Sequence, residues 1–367
     1  MPIIRLPGLV DTHVHLREPG AEHKEGWDSG TAAALAGGFT LILDMPNNTP
    51  PITDRRALET KQAAARAGAR CDYGMHLGAG AENIETAAGL SGETVGLKMY
   101  LDQTFGPLRL DSLGILMAHA RSWPKDRPLL CHAEERTMAA AILVAHLAGR
   151  PVHICHVSRK DEIELIREAK AAGMQVTCEV SPHHLFLTKQ DESSIGPGRS
   201  EVRPRLASSD DVAALRANLD IIDCFATDHA PHTLEEKDSS KPPPGFPGLE
   251  TALPLYLELV RQGLLTLDGL VERTVYNPRR IFGLPEQPET WIEVDPDAEW
   301  TVCGADLFTR AKWTPFEGWK LRGRVRRVVL RGQEAYDSGR VIASPGFGRG
   351  IRTQKLTVPN QDQEERQ

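Results

Sequence analysis

The sequence predicts an α/β fold, a closed (β/α)8 barrel of the TIM type, with a small β-rich appendage formed by the C-terminal segment. From residue 8 to about residue 262, short apolar runs alternate with longer segments whose apolar residues recur at helical spacing. This alternation is typical of repeated βα units around a parallel sheet. The candidate strands are residues 8–14, 39–44, 71–77, 94–99, 128–132, 151–156, 175–180 and 221–227. Eight such units are the number that closes a barrel.

The segments between these strands have the pattern of amphipathic helices. Residues 55–67, 135–148 and 159–172 contain Ala and Leu, and the last of them places Ile163, Ile166 and Ala169 on one face. Apolar residues three or four positions apart form one stripe of a helix, which packs against a sheet. We therefore expect helices around the outside of the barrel.

The pattern changes near residue 289 to short strands separated by turn residues. We expect the barrel to occupy residues 8–285 and the β appendage to occupy residues 286–350, packed on the barrel together with residues 1–7. Residues 351–367 are polar and show no periodicity. A frayed tail or a severed linker is the expectation for that segment.

Composition and charge exclude several classes of function. The formal net charge is −7, so no global positive field attracts nucleic acid or anionic lipid. The longest apolar stretch, residues 138–148, is well short of the roughly twenty residues that cross a bilayer. The N-terminus has no signal-peptide pattern, and the six cysteines form no C-x-x-C pair. We therefore expect a cytoplasmic protein with reduced thiols, and neither nucleic acid nor a membrane as a partner.

Residues that bind metal ions stand at the ends of several predicted strands. His13 and His15 share one face of the first strand, because side chains two positions apart point the same way. An isolated H-x-H pair is more often structural, but here further candidates end later strands: Lys98, His132, His156 and Asp228. The carboxyl ends of barrel strands form one face, where active sites of this fold lie. The sequence therefore predicts a metal centre at that face.

Six motifs stand out along the chain: Asp11-Thr-His-Val-His-Leu-Arg-Glu-Pro-Gly20, Met45-Pro-Asn-Asn48, Gly96-Leu-Lys-Met-Tyr100, His153-Ile-Cys-His156, Glu179-Val-Ser-Pro-His-His184 and Ala226-Thr-Asp-His-Ala-Pro-His232. Together they resemble the motifs of the cyclic amidohydrolases, and among these the dihydroorotases, closest to the dihydroorotase domain of the CAD multienzymes. They extend over nearly the whole chain. The first motif through Leu-Arg-Glu-Pro-Gly and the last are more specific than D-x-H-x-H alone.

The resemblance implies a metal site with two zinc ions per subunit. By resemblance His13, His15 and Asp228 hold one ion, His132 and His156 hold the other, and a carboxylated Lys98 bridges them. The ions would supply hydroxide as the nucleophile, and Asp228 would act as the acid and base. The implied reaction is the reversible cyclisation of N-carbamoyl-L-aspartate to L-dihydroorotate in pyrimidine biosynthesis.

The resemblance also implies how substrate is held. Arg17, Asn47 and His232 are expected to bind the ring carboxylate, and Arg203 to contribute a further contact. Thr104 and Phe105 match a flexible loop that covers bound substrate. Cys155 and Glu179 match positions of a third zinc ion, although a buried thiol and a structural carboxylate remain the alternative there.

Alternatives within and outside this chemistry stay open. A hydantoinase or allantoinase would share the fold and the metal ligands while opening a different cyclic ureide. An inactive scaffold for aspartate transcarbamoylase is a further alternative, although such proteins lose metal ligands and this chain retains all six. Besides its small-molecule substrate, we expect a homodimer, and association with aspartate transcarbamoylase is compatible with the resemblance.

Overall fold

The computed structural model describes residues 2–351, so all but the first residue of the predicted polar tail lies outside the described residues. The described strands are β1 (Ile4–Pro7), β2 (Leu9–Val14), β3 (Phe39–Asp44), β4 (Asp72–Met75), β5 (Leu77–Gly78), β6 (Leu97–Tyr100), β7 (Leu129–His132), β8 (Val152–Ile154), β9 (Val176–Val180), β10 (Cys224–Phe225), β11 (Trp291–Thr301), β12 (Lys320–Leu330), β13 (Gln333–Asp337) and β14 (Arg340–Val341).

Strands β2 to β10 form the barrel. They pair in chain order and in parallel, as β2-β3-β4 and as β5-β6-β7-β8-β9-β10. Only His76 separates β4 from β5, so the two are halves of the third predicted strand. A parallel bridge from Val14 to His229 joins the first strand to the segment after the last. The predicted (β/α)8 barrel is thereby confirmed, although the eighth strand is shorter than the predicted 221–227.

Helices follow the strands and surround them. They are α1 (Trp27–Ala36), α2 (Arg55–Gly68), α3 (Ile84–Ala87), α4 (Leu113–Ser122), α5 (Glu135–Leu147), α6 (Lys160–Ala171), α7 (Pro182–Phe186), α8 (Glu192–Ile195), α9 (Ser209–Ala217), α10 (Leu234–Lys237), α11 (Leu249–Arg261), α12 (Leu267–Val271) and α13 (Asn277–Phe282), with a π-helical turn at Glu272–Tyr276. The predicted apolar stripe of α6 is buried. Among residues 2–351, no helix is long and apolar enough to span a membrane.

A five-stranded antiparallel sheet lies beside the barrel, in the order β1-β11-β12-β13-β14. Leu6 of β1 pairs with Ile292 of β11, and Ile292 pairs with Val328 of β12. All three side chains are buried. The sheet thus joins the N-terminal strand to the C-terminal part of the chain.

The polar end of the barrel rests on an apolar cluster. Val10, Leu41 and Leu130 from three barrel strands belong to one buried group with Phe282 of α13. The Phe282 ring lies edge-on to the ring of His153, with their centroids 5.2 Å apart. Water is therefore excluded beneath the polar residues that follow the strands.

We expect Arg150→Met to lower the free energy of unfolding by about 3 kcal/mol, because removing the guanidinium leaves backbone carbonyls buried without a donor. Arg150 is buried, and its two terminal nitrogens donate to the carbonyls of Ala120, Trp123, Pro124 and Arg127.

Thermal or urea unfolding followed by circular dichroism measures this loss. Arg136→Met, on the exposed face of α5, is the matched control and should change stability little. Equal stability of the two variants would contradict the role assigned to Arg150.

Candidate active site

Two histidines and one aspartate converge at the carboxyl end of β2. Oδ1 of Asp228 lies 3.3 Å from Nε2 of His13 and 3.2 Å from Nε2 of His15. All three residues are buried, and their ligand atoms lie within 4.8 Å of one another. Burial opposes ionisation of Asp228, but the two imidazoles outweigh it and hold the pKa of that carboxyl below its usual range. This group has the geometry and charge to hold a metal ion.

A second pair of imidazoles lies next to this group. Nδ1 of His132, at the end of β7, is 2.8 Å from Nε2 of His156, which follows β8. The ring of His156 lies 5.3 Å from that of His13, centroid to centroid. Burial lowers both pKa values well below normal, and the charge of Lys98 adds to the effect.

The arrangement of these two histidines suits a bound cation better than a direct hydrogen bond between the two rings. Within residues 2–351 their remaining ring nitrogens, Nε2 of His132 and Nδ1 of His156, are buried without a hydrogen-bond partner. Buried polar atoms in native proteins nearly always have partners. Two neutral imidazoles that face each other offer lone pairs that a metal ion can accept. The donor set therefore fits the second ion that the resemblance to the dihydroorotases implies.

Lys98 lies inside the barrel on β6 and is fully buried. Its Nζ donates to Sγ of Cys155 at 2.8 Å and lies 5.1 Å from the centroid of the Tyr100 ring. The structure thus places Lys98 among the site residues, with a thiol as its hydrogen-bond partner.

Glu179 contacts the ring nitrogen of His13 that faces away from Asp228. Its Oε1 lies 2.5 Å from Nδ1 of His13, while its Oε2 accepts from the hydroxyl of Thr12 at 2.8 Å and lies 3.1 Å from Nε2 of His153. His13, Cys155 and Glu179 also form a second group with metal-ligand geometry. Burial raises the pKa of the Cys155 thiol well above normal. Both sequence-based alternatives for this pair thus have a structural counterpart, since a carboxylate behind a ligating histidine commonly orients the ring.

The predicted substrate residues form the opposite wall. Nη2 of Arg17 lies 3.1 Å from Nε2 of His232, and Nε of Arg17 donates to the carbonyl of Pro231. Asn47 is engaged on both sides: its Oδ1 lies 2.6 Å from Nδ1 of His15, and its Nδ2 donates to the carbonyl of Phe105. Asn47 therefore connects a candidate metal ligand to the loop above the site.

The Thr104–Phe105 loop covers the mouth of the site. The Phe105 ring lies 5.2 Å from the ring of His232 and 5.3 Å from Cζ of Arg17. The resulting narrow pocket is lined by His13, His15, Arg17, Asn47, Tyr100, Thr104, Phe105, His132, His156, Arg203, Asp228, Ala230, Pro244 and Gly245. Cys155 and Glu179 lie behind this lining, next to His13.

Arg203 lies at the edge of the predicted site. Its side chain is partly exposed, and its Nη1 donates to Oε2 of Glu201 at 2.9 Å and to the carbonyl of Val202. The structure places Arg203 at the rim, with its charge already paired.

Three site residues adopt left-handed backbone conformations. The φ angles are +66° at Arg17, +36° at His156 and +47° at Asp228. Residues other than glycine pay about 1–3 kcal/mol for such conformations, which concentrate at functional sites. At each position the strain accompanies a side chain that faces the pocket.

Sequence reasoning missed residues that support or line the site. Asp44 Oδ1 accepts from the backbone NH of Leu16, and the buried Lys61 contacts Asp44 and donates to Oδ1 of Asn48. This ion pair holds the segments that carry Arg17 and Asn47. Tyr100 lines the pocket, and its hydroxyl has no partner in the described part of the chain. Its place two residues after Lys98, on the same strand face, was the available signal.

Comparisons with known proteins identify relatives of this chain. The amidohydrolase family model matches residues 4–335. The chain is 56% identical over 357 residues to the multifunctional protein CAD of Squalus acanthias, covering 97% of this chain and 16% of that protein. It is 36% identical over 366 residues to the dihydroorotase of Pyrococcus furiosus, covering 95% of this chain and 86% of the relative.

Two solved structures share the fold. The L-hydantoinase of Arthrobacter aurescens superposes with a TM-score of 0.90 at 26% identity, covering 95% of this chain and 89% of its own. The inactive dihydroorotase-like domain of a Chaetomium thermophilum CAD-like multifunctional protein gives a TM-score of 0.82 at 29% identity, with coverage of 95% and 99%. The chain belongs to the amidohydrolase family of metal-dependent hydrolases.

Proposed function

We propose that this chain is a dihydroorotase that interconverts N-carbamoyl-L-aspartate and L-dihydroorotate in pyrimidine biosynthesis. The observation that carries the proposal is the buried cation of Arg17 in the wall opposite the histidine and aspartate cluster. Among residues 2–351, no carboxylate pairs with Arg17, and its Nη1 is buried without an acceptor. A buried guanidinium requires an anion, and the ring carboxylate of dihydroorotate supplies one.

The residues that would hold two zinc ions are those that the resemblance to the dihydroorotases implies. His13, His15 and Asp228 would bind one ion, His132 and His156 the other, and Lys98 would bridge them as a carbamate. Carboxylation converts the cationic Lys98 into an anionic ligand with two oxygens, which suits a site between dications. Bound zinc would polarise the scissile carbonyl and activate a water molecule.

Asp228 is suited to move the proton. Its carboxylate stays ionised because of the neighbouring imidazoles, so it can accept a proton from the attacking water and deliver it to the departing ring nitrogen. Arg17 and His232 hold the substrate carboxylate, and Phe105 covers the ring and excludes water. Asn47 orients His15 through its Oδ1 and anchors the loop through the hydrogen bond from its Nδ2 to the Phe105 carbonyl.

The two alternative functions, a hydantoinase or allantoinase and an inactive scaffold, have less support. Hydantoin and allantoin carry no carboxylate, so they leave Arg17 without a counterion, although the fold of the L-hydantoinase is close. An inactive domain with this fold exists among the solved structures, but the six candidate ligands are all present here. We propose further that the chain forms a homodimer in the cytoplasm and, because its CAD relative is multifunctional, associates with aspartate transcarbamoylase.

An activity assay tests the proposal. Purified protein of measured zinc content is incubated with L-dihydroorotate, and the appearance of N-carbamoyl-L-aspartate is followed by chromatography, with hydantoin and allantoin as control substrates. We expect turnover of dihydroorotate alone. Preference for hydantoin or allantoin, or no turnover of any substrate by zinc-loaded protein, would overturn the proposal.

Lys98→Ala should abolish activity and lower the zinc content, because the bridging ligand is lost. Metal analysis and the dihydroorotate assay measure both effects, and added short carboxylic acids should restore part of the activity. Normal zinc content in the variant would refute the bridging role.

Arg17→Gln should raise KM for dihydroorotate and lower kcat/KM at least a hundredfold, since a charge-assisted bidentate contact is replaced by a neutral one. Its zinc content should equal that of the wild type, which separates substrate binding from metal binding. An unchanged KM would remove Arg17 from the carboxylate site.

The equilibrium between the two substrates should depend on pH with a defined sign. Ring opening creates one additional carboxyl group, which is ionised above its pKa of about 4 and releases a proton. Acid should therefore favour dihydroorotate, and each unit of rising pH between about 5 and 8 should shift the ratio about tenfold toward carbamoyl aspartate. Chromatography of both compounds after equilibration from either direction measures the ratio, and a ratio independent of pH would contradict the reaction.

A further inference from the structure

A buried lysine stands behind the His232 imidazole. Nζ of Lys24 lies 3.1 Å from Nδ1 of His232 and 3.0 Å from Oε1 of Glu236. Nζ of Lys24 also lies 4.7 Å from the centroid of the Phe105 ring. Lys24 has no role in the reaction proposed above.

The donor and acceptor chemistry around His232 determines where its proton sits. An ammonium group has donors and no acceptor, so Nδ1 must accept from Lys24. On the other side of the ring, the carbonyl of Pro244 lies 3.0 Å from Nε2 and can only accept. Both contacts require the proton on Nε2. Glu236 could take a proton from Nδ1, but its Oε2 is 3.8 Å away, beyond hydrogen-bond distance.

His232 carries one ring proton rather than two. Burial, followed by the charge of Arg17, holds the pKa of His232 well below normal, and Lys24 and Lys237 act in the same direction. Glu236 opposes the shift without reversing it. The ring is therefore a neutral imidazole with one donor and one acceptor.

With this tautomer, the close approach of Arg17 and His232 places two donors side by side, which suits an anion. Nη2 of Arg17 and Nε2 of His232 are 3.1 Å apart, yet both carry hydrogens, so neither accepts from the other. An anionic oxygen placed beside both would accept from Nη2 of Arg17 and would share the single Nε2 proton of His232 with the Pro244 carbonyl. The free Nη1 of Arg17 would supply a further hydrogen bond.

We propose that Lys24, paired with Glu236, is a positioning residue that fixes the His232 tautomer with its proton on Nε2 and thereby makes Arg17 and His232 a matched pair of donors for a carboxylate. The identity of that carboxylate as the one on dihydroorotate rests on the proposed function. The tautomer does not rest on it.

Nuclear magnetic resonance tests the tautomer on the wild-type protein. With ring-15N-histidine labelling, long-range proton–nitrogen spectra distinguish a protonated from an unprotonated ring nitrogen, and comparison with His232→Asn assigns the signals. We expect protonated Nε2 and unprotonated Nδ1 for His232. A protonated Nδ1, or an imidazolium with both nitrogens protonated, would overturn the proposal whatever the enzyme's substrate.

Variants of Lys24 test the consequence for binding. Lys24→Met removes the donor and should raise KM for dihydroorotate about tenfold with a smaller change in kcat, and part of the His232 signal should move to the other tautomer. Lys24→Arg keeps a cationic donor and should restore most of the wild-type KM. Lys160→Met, an exposed lysine of α6, is the control and should leave both readouts unchanged.

The outcomes separate this proposal from the proposed function. If Lys24→Met keeps the wild-type tautomer and KM, Lys24 does not position His232 and the proposal fails. If the wild-type protein shows no dihydroorotase activity while His232 carries its proton on Nε2, the proposed function fails and the tautomer inference stands. If Lys24→Met does not fold, the wild-type spectrum still decides the tautomer.

Discussion

Desolvation at the mouth of the barrel is the constraint on which this site depends. The histidines after β2, β7 and β8 are withdrawn from water, and burial is the largest cause of the low pKa of His15, His132 and His156. A neutral imidazole offers the lone pair that a metal ion needs, whereas an imidazolium repels it. The apolar cluster around Phe282 maintains this environment from below, and the Phe105 loop does so from above. The apolar packing that buries these histidines therefore also keeps them in the neutral form that binds a metal ion.

The site carries buried cations although the protein has a net negative charge. Arg17, Lys24 and Lys61 are all buried near the pocket. Two of them are neutralised by carboxylates, Lys24 by Glu236 and Lys61 by Asp44. Arg17 has no such partner within the described residues, which leaves its charge available to a ligand. The distribution of pairing, rather than the total charge, marks Arg17 as the buried cation that an anionic ligand can reach.

Much of this architecture could be predicted because it follows from periodicity. Alternation along β2 places His13 and His15 on one face, and the carboxyl ends of parallel strands bring Asp228 to them. The contacts that refine the site could not be predicted. The left-handed backbone at Arg17, His156 and Asp228, the partnership of Asn47 with His15 and the place of Lys24 behind His232 all depend on side chains far apart in sequence. A single sequence does not encode such pairings in any local pattern.

The pairing of β1 with β11 bears on how the chain assembles as it is synthesised. β1 precedes the histidine-bearing strand with only Gly8 between them, and its hydrogen bonds go to Trp291–Val294. β1 therefore has no partner until residues 291–294 have been synthesised, almost 290 residues later. Contacts of such long sequence separation form late and slowly. Between the synthesis of β1 and that of β11, the nascent protein thus carries an unpaired strand next to the one that bears His13. This is the stage at which a chaperone would have the most to protect.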